Sequence, residues 1–442
     1  MSVPATAFEK AAPRSLPQPL TTICAALAAV GVGAFFYGLS TDAQSTWLAF
    51  HANFIYFGAL SQAALVLCCA FVLVSAQWPG PLRRIAEGLA AWIPISLLLS
   101  IVGYFGGEYL FEWLREGAVH GKEPWLNATR FYLTDIGVLA LLTVLSLAFL
   151  RASARPTLGG NAASGMTGFA RSMAERWTAG WRGDAEEREA SLDRTSKLAP
   201  IIVMVFAMGY SVFIFDQVMS MEQTWYSNLF GAYVSWGGIV SAVAAIALIA
   251  VLHRNAPGIG DHITEARIHD IGKMLFAFSI FWMYLFFAQY LVIWYGNLPE
   301  ETQFFMDRLG PQFVNDKGDS VLEWALAWSD WNFSFDRLDQ NYGWLSMTVW
   351  ACVWIIPFWV LLGARPKKTS WILGPVATIV LLGFWLERNL LIWPSVIKDD
   401  NTAFLQPIPI LIALGFLGAF SLVFLIYTRV FPTLALPDPE HS

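Results

Sequence analysis

The chain has 442 residues and a net charge of −6, with 56% hydrophobic and 14% charged residues, whereas a soluble domain is about 25% charged. Its mean hydropathy of +0.52 and its 21 Trp exceed the needs of a water-soluble core. A lipid bilayer solvates such an apolar exterior. The composition excludes an ordinary soluble enzyme and predicts an all-α polytopic membrane protein.

Ten apolar segments are long enough to cross a bilayer, because about 20 helical residues span about 30 Å. They lie at 19–39, 52–77, 85–106, 128–150, 198–220, 226–252, 271–295, 342–363, 371–394 and 405–428. The first has no small-residue cleavage site, so we interpret it as a span and not as a signal peptide. The spans are predicted to form a first membrane half of four helices at 19–150 and a second half of six helices at 198–428. The polar segments are an N-terminal tail at 1–18, a loop at 151–197, a loop at 296–341 within the second half, and a C-terminal tail at 429–442.

The placement of Lys and Arg predicts the orientation. If the N-terminus is cytoplasmic, the cytoplasmic segments hold 18 of the 27 basic residues and the outer segments hold 6. Because basic residues are retained on the cytoplasmic side, we expect both termini in the cytoplasm. The outer loop at 296–341 combines nine carboxylates with Trp324, Trp328 and Trp331. This composition suits either a docked partner or a solvated interfacial loop.

Four ionisable residues fall inside predicted spans, where a charge is costly and by default indicates a functional site. Asp135, Asp216, Glu387 and Arg388 lie on three helices, each roughly 7–10 Å below the outer boundary. We expect them to form one polar layer, and they are candidates for a proton path. Alternatively, Asp135 or Asp216 pairs with Arg388 or Arg130 and only orders the helices.

Aromatic and amide side chains at span positions predict a quinol pocket near this layer. The candidates are His51, Gln62, Trp282 and Gln289. Aromatic walls suit a quinol ring, and a histidine or carboxylate can accept the proton of its hydroxyl.

A further set of polar residues, His269, Asp270 and Lys273, opens the seventh span on the inner side. It is interpreted either as a helix start stabilised by the helix dipole or as an inner proton-entry site. These three residues are the remaining proton-path candidates.

The histidines and cysteines do not form a ligand set. The six His lie at span ends or in loops, and the four Cys lie in apolar stretches without a CxxC motif. Haem and iron–sulfur centres require His pairs or Cys clusters. We therefore predict no metal site and no redox centre in the isolated chain, and no catalytic residue can be assigned. Electrons would have to pass to a partner protein.

Two segments indicate a family. Residues 209–241 read GYSVFIFDQVMSMEQTWYSNLFGAYVSWGGIVS, and residues 269–302 read HDIGKMLFAFSIFWMYLFFAQYLVIWYGNLPEET. Both resemble the F subunit of alternative complex III, a bacterial quinol–cytochrome c oxidoreductase, within the polysulfide-reductase-like (NrfD-type) integral membrane family. The resemblance continues more loosely over 52–150. It implies ten helices, of which the middle eight form two four-helix bundles.

The resemblance also implies a respiratory assembly in the electron transport chain of a bacterial cytoplasmic (inner) membrane. Its partners are a sister NrfD-like membrane subunit, an iron–sulfur subunit, haem c subunits and small membrane subunits. Menaquinone or ubiquinone is the implied substrate, and the sister subunit is the stronger candidate for the site of quinol oxidation. The F-type subunit is implied to be a scaffold with a half-channel for proton translocation, and no nucleic acid is involved.

Two other classes of protein fit the same composition. A secondary transporter of ions or solutes would use the buried Asp, Glu and Arg as ligands, although matched Gly- or Pro-broken helices are not evident. A structural membrane anchor would use them only for packing. Neighbouring genes for a ferredoxin-like subunit and haem c proteins would favour the redox complex.

The orientation predicts the result of a labelling experiment. A cysteine introduced at Ser320 should react with an impermeant thiol reagent added outside intact cells, and a cysteine at Ser164 should not. Both positions should react after permeabilisation. The opposite pattern would contradict the orientation and the depths derived from it.

Overall fold

The computed structural model describes residues 18–118, 120–159, 168–255, 260–309, 341–398 and 400–431. These residues contain no strand and include ten helices long and apolar enough to cross a membrane. The predicted all-α polytopic fold is therefore confirmed. The loop tryptophans Trp324, Trp328 and Trp331 and the labelling positions Ser164 and Ser320 lie outside the described residues.

The ten spanning helices are numbered in chain order. They are α1 (Gln18–Thr41), α2 (Ala43–Leu73), α3 (Pro81–Leu110), α4 (Ala128–Pro156), α5 (Asp184–Met221), α6 (Phe230–His253), α7 (Glu265–Gly296), α8 (Gly343–Val360), α9 (Ser370–Ser395) and α10 (Pro407–Val430). Shorter helices between them are Glu112–Glu116, Gly168–Thr178, Pro299–Leu309 and Ala364–Lys368. Because α5 begins at Asp184 and the Gly168–Thr178 helix precedes it, much of the predicted loop at 151–197 is helical.

Two helices begin well before their apolar stretches. The helix α2 begins at Ala43, where the Asp42 carboxylate accepts a hydrogen bond from the Ser45 amide at 3.1 Å and caps the first turn. The helix α5 has Asp184, Glu186 and Glu187 in its first turn, where carboxylates complement the helix dipole. Apolar length alone cannot detect such polar helix starts.

The helices form two four-helix bundles and a peripheral pair. The first bundle is α2–α5, the second bundle is α6–α9, and α1 packs against α10 beside them. The helix α2 joins the bundles by packing against α6 and α9, and 89% of its apolar window is buried. The apolar surface of α2 is thus covered by other helices of the protein. The sequence predicted a first membrane half of four helices and a second half of six, which placed α5 in the second half. In the structure, α5 packs in the first bundle.

The two ends of the molecule differ in charge. The carboxylate end, at which α2 begins and α5 ends, includes Glu112, Glu222 and Glu300. The basic end, at which α3 begins and α4 ends, includes Arg83 and Arg155.

The peripheral helices touch at their backbones. A Cβ on Gly31 of α1 would lie 2.3 Å from the Cα of Gly415 on α10, and a Cβ on Gly418 would lie 2.7 Å from the Cys24 carbonyl oxygen. Small residues allow this close approach of membrane helices, where dispersion and not hydrophobic exclusion drives association. The order of the contacts shows that α1 and α10 are antiparallel.

This contact predicts different outcomes for two glycines of α1. Gly31→Leu should destabilise the detergent-solubilised protein by about 2 kcal/mol, because the larger side chain forces the backbones apart. Gly33→Leu is the control, since no atom lies within 4 Å of its Cβ position. The measurement is thermal unfolding monitored by size-exclusion chromatography, and equal stabilities of the two variants would refute the contact.

Candidate functional site

A buried ion pair connects α4 and α5 near the carboxylate end. The guanidinium of Arg130 donates two hydrogen bonds to the Asp216 carboxylate, at 2.7 and 2.8 Å. Asp216 is fully buried, whereas the Arg130 side chain is 24% exposed. The guanidinium also stacks 4.2 Å from the Trp125 ring centroid and donates to the Trp125 carbonyl. Arg130 is thus held by a bidentate fork and by an aromatic face, the geometry that arginine favours.

A second carboxylate, Asp135, lies beside this pair. Its Oδ2 accepts a hydrogen bond of 2.6 Å from the Gln217 side-chain amide. Its carboxyl group is also within hydrogen-bonding reach of Asp216. Among the described residues, however, nothing donates to the buried Oδ1 of Asp135.

The charges of this cluster favour one retained proton. Two adjacent carboxylates would carry two negative charges in a site of low polarity, and Arg130 supplies one positive charge. Like-charged carboxyl groups at close range share a proton because full ionisation of both is unfavourable. A proton between Asp135 and Asp216 would provide the missing donor and leave the cluster neutral.

His51 connects α2 to the same cluster. Its Nε2 lies 2.7 Å from the Gln217 carbonyl oxygen. Because a carbonyl can only accept, Nε2 is the donor, and Nδ1 is the acceptor nitrogen of a neutral imidazole. The Gln217 residue thus contacts Asp135 through its side chain and His51 through its backbone.

His51 and Gln217 also line a narrow cleft with a volume of about 10 Å³. The other lining residues are Phe54, Ser100, Gly103, Leu110, Phe111 and Tyr132. This volume is about that of one water molecule, whereas small-molecule sites measure roughly 300–1,000 Å³. Aromatic walls with few polar groups are typical of such sites, but in this conformation the cleft is too small for a quinol ring.

The second bundle has its own ion pair, formed by the neighbouring residues Glu387 and Arg388 of α9. The Arg388 guanidinium contacts the Glu387 carboxylate and donates to the Val234 carbonyl of α6 at 2.8 Å. Both side chains are at most 1% exposed. Tyr233 of α6 and Trp282 of α7 face the carboxylate. This cluster has equal numbers of positive and negative groups and crosslinks three helices.

The structure therefore divides the predicted polar layer between the bundles. Asp135 and Asp216 lie in the first bundle, and Glu387 and Arg388 lie in the second. The alternative expected from the sequence was a carboxylate paired with an arginine. Asp216 forms such a pair with Arg130.

The four quinol-pocket candidates do not lie in one pocket. Among them, His51 lines the cleft. Gln289 accepts a hydrogen bond from the Ser227 hydroxyl at 2.9 Å in the second bundle, where Trp282 also lies. Gln62 is buried on α2, eleven residues from His51. The sequence could not show that these helix faces point into different bundles.

The candidates at the start of α7 lie away from both clusters. Lys273 pairs with Asp270 at 2.6 Å, and the two side chains are 54% and 29% exposed. His269 is partly exposed beside them. This arrangement is that of a solvated i,i+3 pair on a helix face.

Several buried polar groups were missed by sequence reasoning. At the basic end, Arg84 contacts Glu87 at 2.5 Å, and the Ser153 hydroxyl donates to Glu87 at 2.6 Å. There Arg155 forms a bidentate pair with Glu187. The sequence analysis had treated these arginines only as markers of orientation, because nothing in their spacing indicates burial.

Another such network closes the carboxylate end of the second bundle. Arg308, 3% exposed, donates to the Leu391 carbonyl at 2.9 Å and to the Ser395 hydroxyl at 2.7 Å. Its Nη1 lies 3.9 Å from Glu222. Burial lowers the pKa of Arg308 to about 10 and raises the pKa of Glu222.

Comparisons with known proteins do not identify a family: no family model matches the chain, and no curated protein matches it. Among the described residues, no group of three or more His, Cys, Asp or Glu is placed to hold a metal ion. The structure assigns the chain to polytopic helical membrane proteins.

The Arg130–Asp216 pair predicts a rescue by double substitution. Asp216→Asn should destabilise the solubilised protein by about 2 kcal/mol, because Arg130 loses its bidentate carboxylate partner but keeps some solvent. Adding Arg130→Gln should restore part of that stability. Thermal unfolding measures both changes. The pairing would be contradicted if Asp216→Asn were as stable as the wild type. It would also be contradicted if the variant with both substitutions were less stable than Asp216→Asn alone.

Proposed function

We propose that this chain is a membrane subunit of a bacterial respiratory quinol:acceptor oxidoreductase of the alternative complex III type, and that its first bundle carries a proton away from the quinol. The observation that carries this proposal is the Asp135–Asp216 carboxyl pair, which has one arginine and adjoins the cleft at His51. The motifs at 209–241 and 269–302 support the family assignment.

The residues of the cleft suit the first proton transfer. A quinol supplies two protons and two electrons on oxidation, and the electrons go to a partner subunit. The acceptor Nδ1 of His51 can take a hydroxyl proton, and the Gln217 carbonyl fixes the tautomer of the ring. The aromatic side chains of Phe54, Phe111 and Tyr132 suit contact with a ring once the cleft widens to admit it.

The carboxyl pair suits the second proton transfer, from His51 to Asp135 and Asp216. Asp135 and Asp216 together hold one proton, and Arg130 balances the remaining negative charge, so the three groups are neutral together. The gain or loss of one proton therefore changes their combined charge by only one unit. Gln217 contacts Asp135 and His51 and keeps the two groups close. Arg130 is 24% exposed, which gives the pair a route towards the carboxylate end. This end faces the periplasm in the proposed orientation.

The second bundle suits a scaffold. Its Glu387–Arg388 pair is balanced and buried, and it ties α9 to α6 and α7. The proposed partners are the sister membrane subunit, the iron–sulfur subunit and the haem c subunits. They would hold the redox centres.

Asp135→Asn tests the proton path with little structural damage. The asparagine oxygen can still accept from Gln217, and its NH₂ group can donate to Asp216 as a protonated Asp135 would. We expect the complex purified from native membranes to retain its haem c spectrum, while quinol-driven acceptor reduction falls by about 100-fold or more, as for loss of a proton-transfer group.

The matched control is Glu189→Gln, an exposed carboxylate at the basic end. It should leave the reduction rate unchanged. Wild-type turnover in an assembled Asp135→Asn complex would refute the proton path. Purification of the wild-type chain without haem c or iron–sulfur partners would refute the assembly.

A further inference from the structure

Three buried polar groups in the first bundle have no hydrogen-bond partner among the described residues. They are the Ser96 hydroxyl of α3, the Tyr210 hydroxyl of α5 and the side-chain NH₂ of Gln62 on α2. Each residue is 1% exposed. A buried polar group without a partner is unfavourable, and a ligand that can donate and accept would satisfy such groups.

The groups converge on Gly58 of α2. The hydroxyl oxygens of Ser96 and Tyr210 each lie 3.7 Å from the position that a Cβ on Gly58 would occupy. Gln62 follows one helical turn later and shares this face of α2. Because Gly58 has no side chain, a space the size of a methyl group faces the two hydroxyls. The hydroxyls of α3 and α5 therefore face one point on α2, and Gln62 lies on the same face of that helix.

An irregular turn positions Tyr210. Residues Phe206–Tyr210 form a π-helical turn in α5, a feature that is frequent at functional sites. Tyr210 precedes Asp216 by six residues, or about 9 Å along the helix. Its ring stacks between Phe206 and Phe213 with both centroids at 5.1 Å. The ring is thus fixed in an apolar stack, and its hydroxyl is directed towards Gly58.

We propose that Ser96, Tyr210 and Gln62 bind ordered water at Gly58, and that this water extends the proton path from the Asp135–Asp216 pair towards the middle of the first bundle. Buried water typically makes about three hydrogen bonds to otherwise unpaired groups, which is the number offered here. The extension rests on the proposed function, whereas the water site itself does not.

X-ray hydroxyl-radical footprinting with mass spectrometry tests the water site directly, because bound water is the source of the radicals. In the purified protein, Tyr210 should be oxidised despite its 1% exposure. Tyr342 is the matched control: it is 0% exposed, and its hydroxyl donates to the carbonyl oxygens of Ile397 and Asp400 at 2.8 and 3.0 Å. Equal protection of Tyr210 and Tyr342 would overturn the proposal.

Gly58→Ala tests the same site by displacing the water. The new methyl group would meet both hydroxyls at 3.7 Å, an ordinary contact distance, so the helices need not move. We expect the oxidation of Tyr210 to fall at least fivefold relative to the wild type. Gly137→Ala is the control, because no atom lies within 4 Å of its Cβ position on α4. Unchanged oxidation of Tyr210 in Gly58→Ala would place the water elsewhere and refute the site.

The role of the water in the proton path has a separate readout. In the assembled complex, Gly58→Ala and Tyr210→Phe should each slow quinol-driven proton release, and Gly137→Ala should not. Footprinting that detects the water, together with unchanged proton release in both variants, would refute the extended path and leave the Asp135–Asp216 step intact. Loss of the footprint in Gly58→Ala together with loss of proton release supports both parts.

Discussion

The balance of charge within a medium of low polarity is the constraint on which the rest of this structure depends. A single ionised group inside a membrane is very costly, so its partner must be close, and the helices that carry the two must pack together. Arg130–Asp216 joins α4 to α5, Arg388 joins α9 to α6 through the Val234 carbonyl, and Arg155–Glu187 joins α4 to the start of α5. These pairs fix how the helices are arranged as much as the apolar contacts do.

Helix α2 shows the complementary constraint. Its apolar surface is enclosed on all sides, by both bundles and by the peripheral pair. Three of its polar side chains connect it to neighbouring helices. His51 contacts the Gln217 carbonyl, Asn53 accepts from the Trp385 indole at 3.0 Å, and the Tyr56 hydroxyl donates to the Leu381 carbonyl at 2.9 Å. Through these contacts α2 connects the carboxylate cluster of the first bundle to α9 of the second.

The sequence predicted the number of spans and the intramembrane charges because both follow from local composition. It could not predict which charges meet, because depth along a helix carries no information on the direction in which the side chain points. Asp135 and Glu387 lie at similar predicted depths, yet they face different bundles. Gln217 was not singled out, although it contacts both Asp135 and His51. Nor could apolar length reveal that α5 begins at Asp184, since its first turns are stabilised by charge.

The two intramembrane clusters differ in their balance of positive and negative groups. Glu387 and Arg388 cancel each other, so a proton added to the carboxylate would leave the arginine as an uncompensated buried charge. In the first bundle, Asp135 and Asp216 face Arg130 alone, so neutrality itself requires a proton. That cluster is also the one with an exposed arginine edge and an adjacent cleft. The first bundle is therefore the one to which we assign the proposed proton exchange, and the balanced pair of the second bundle is suited to holding its helices in place.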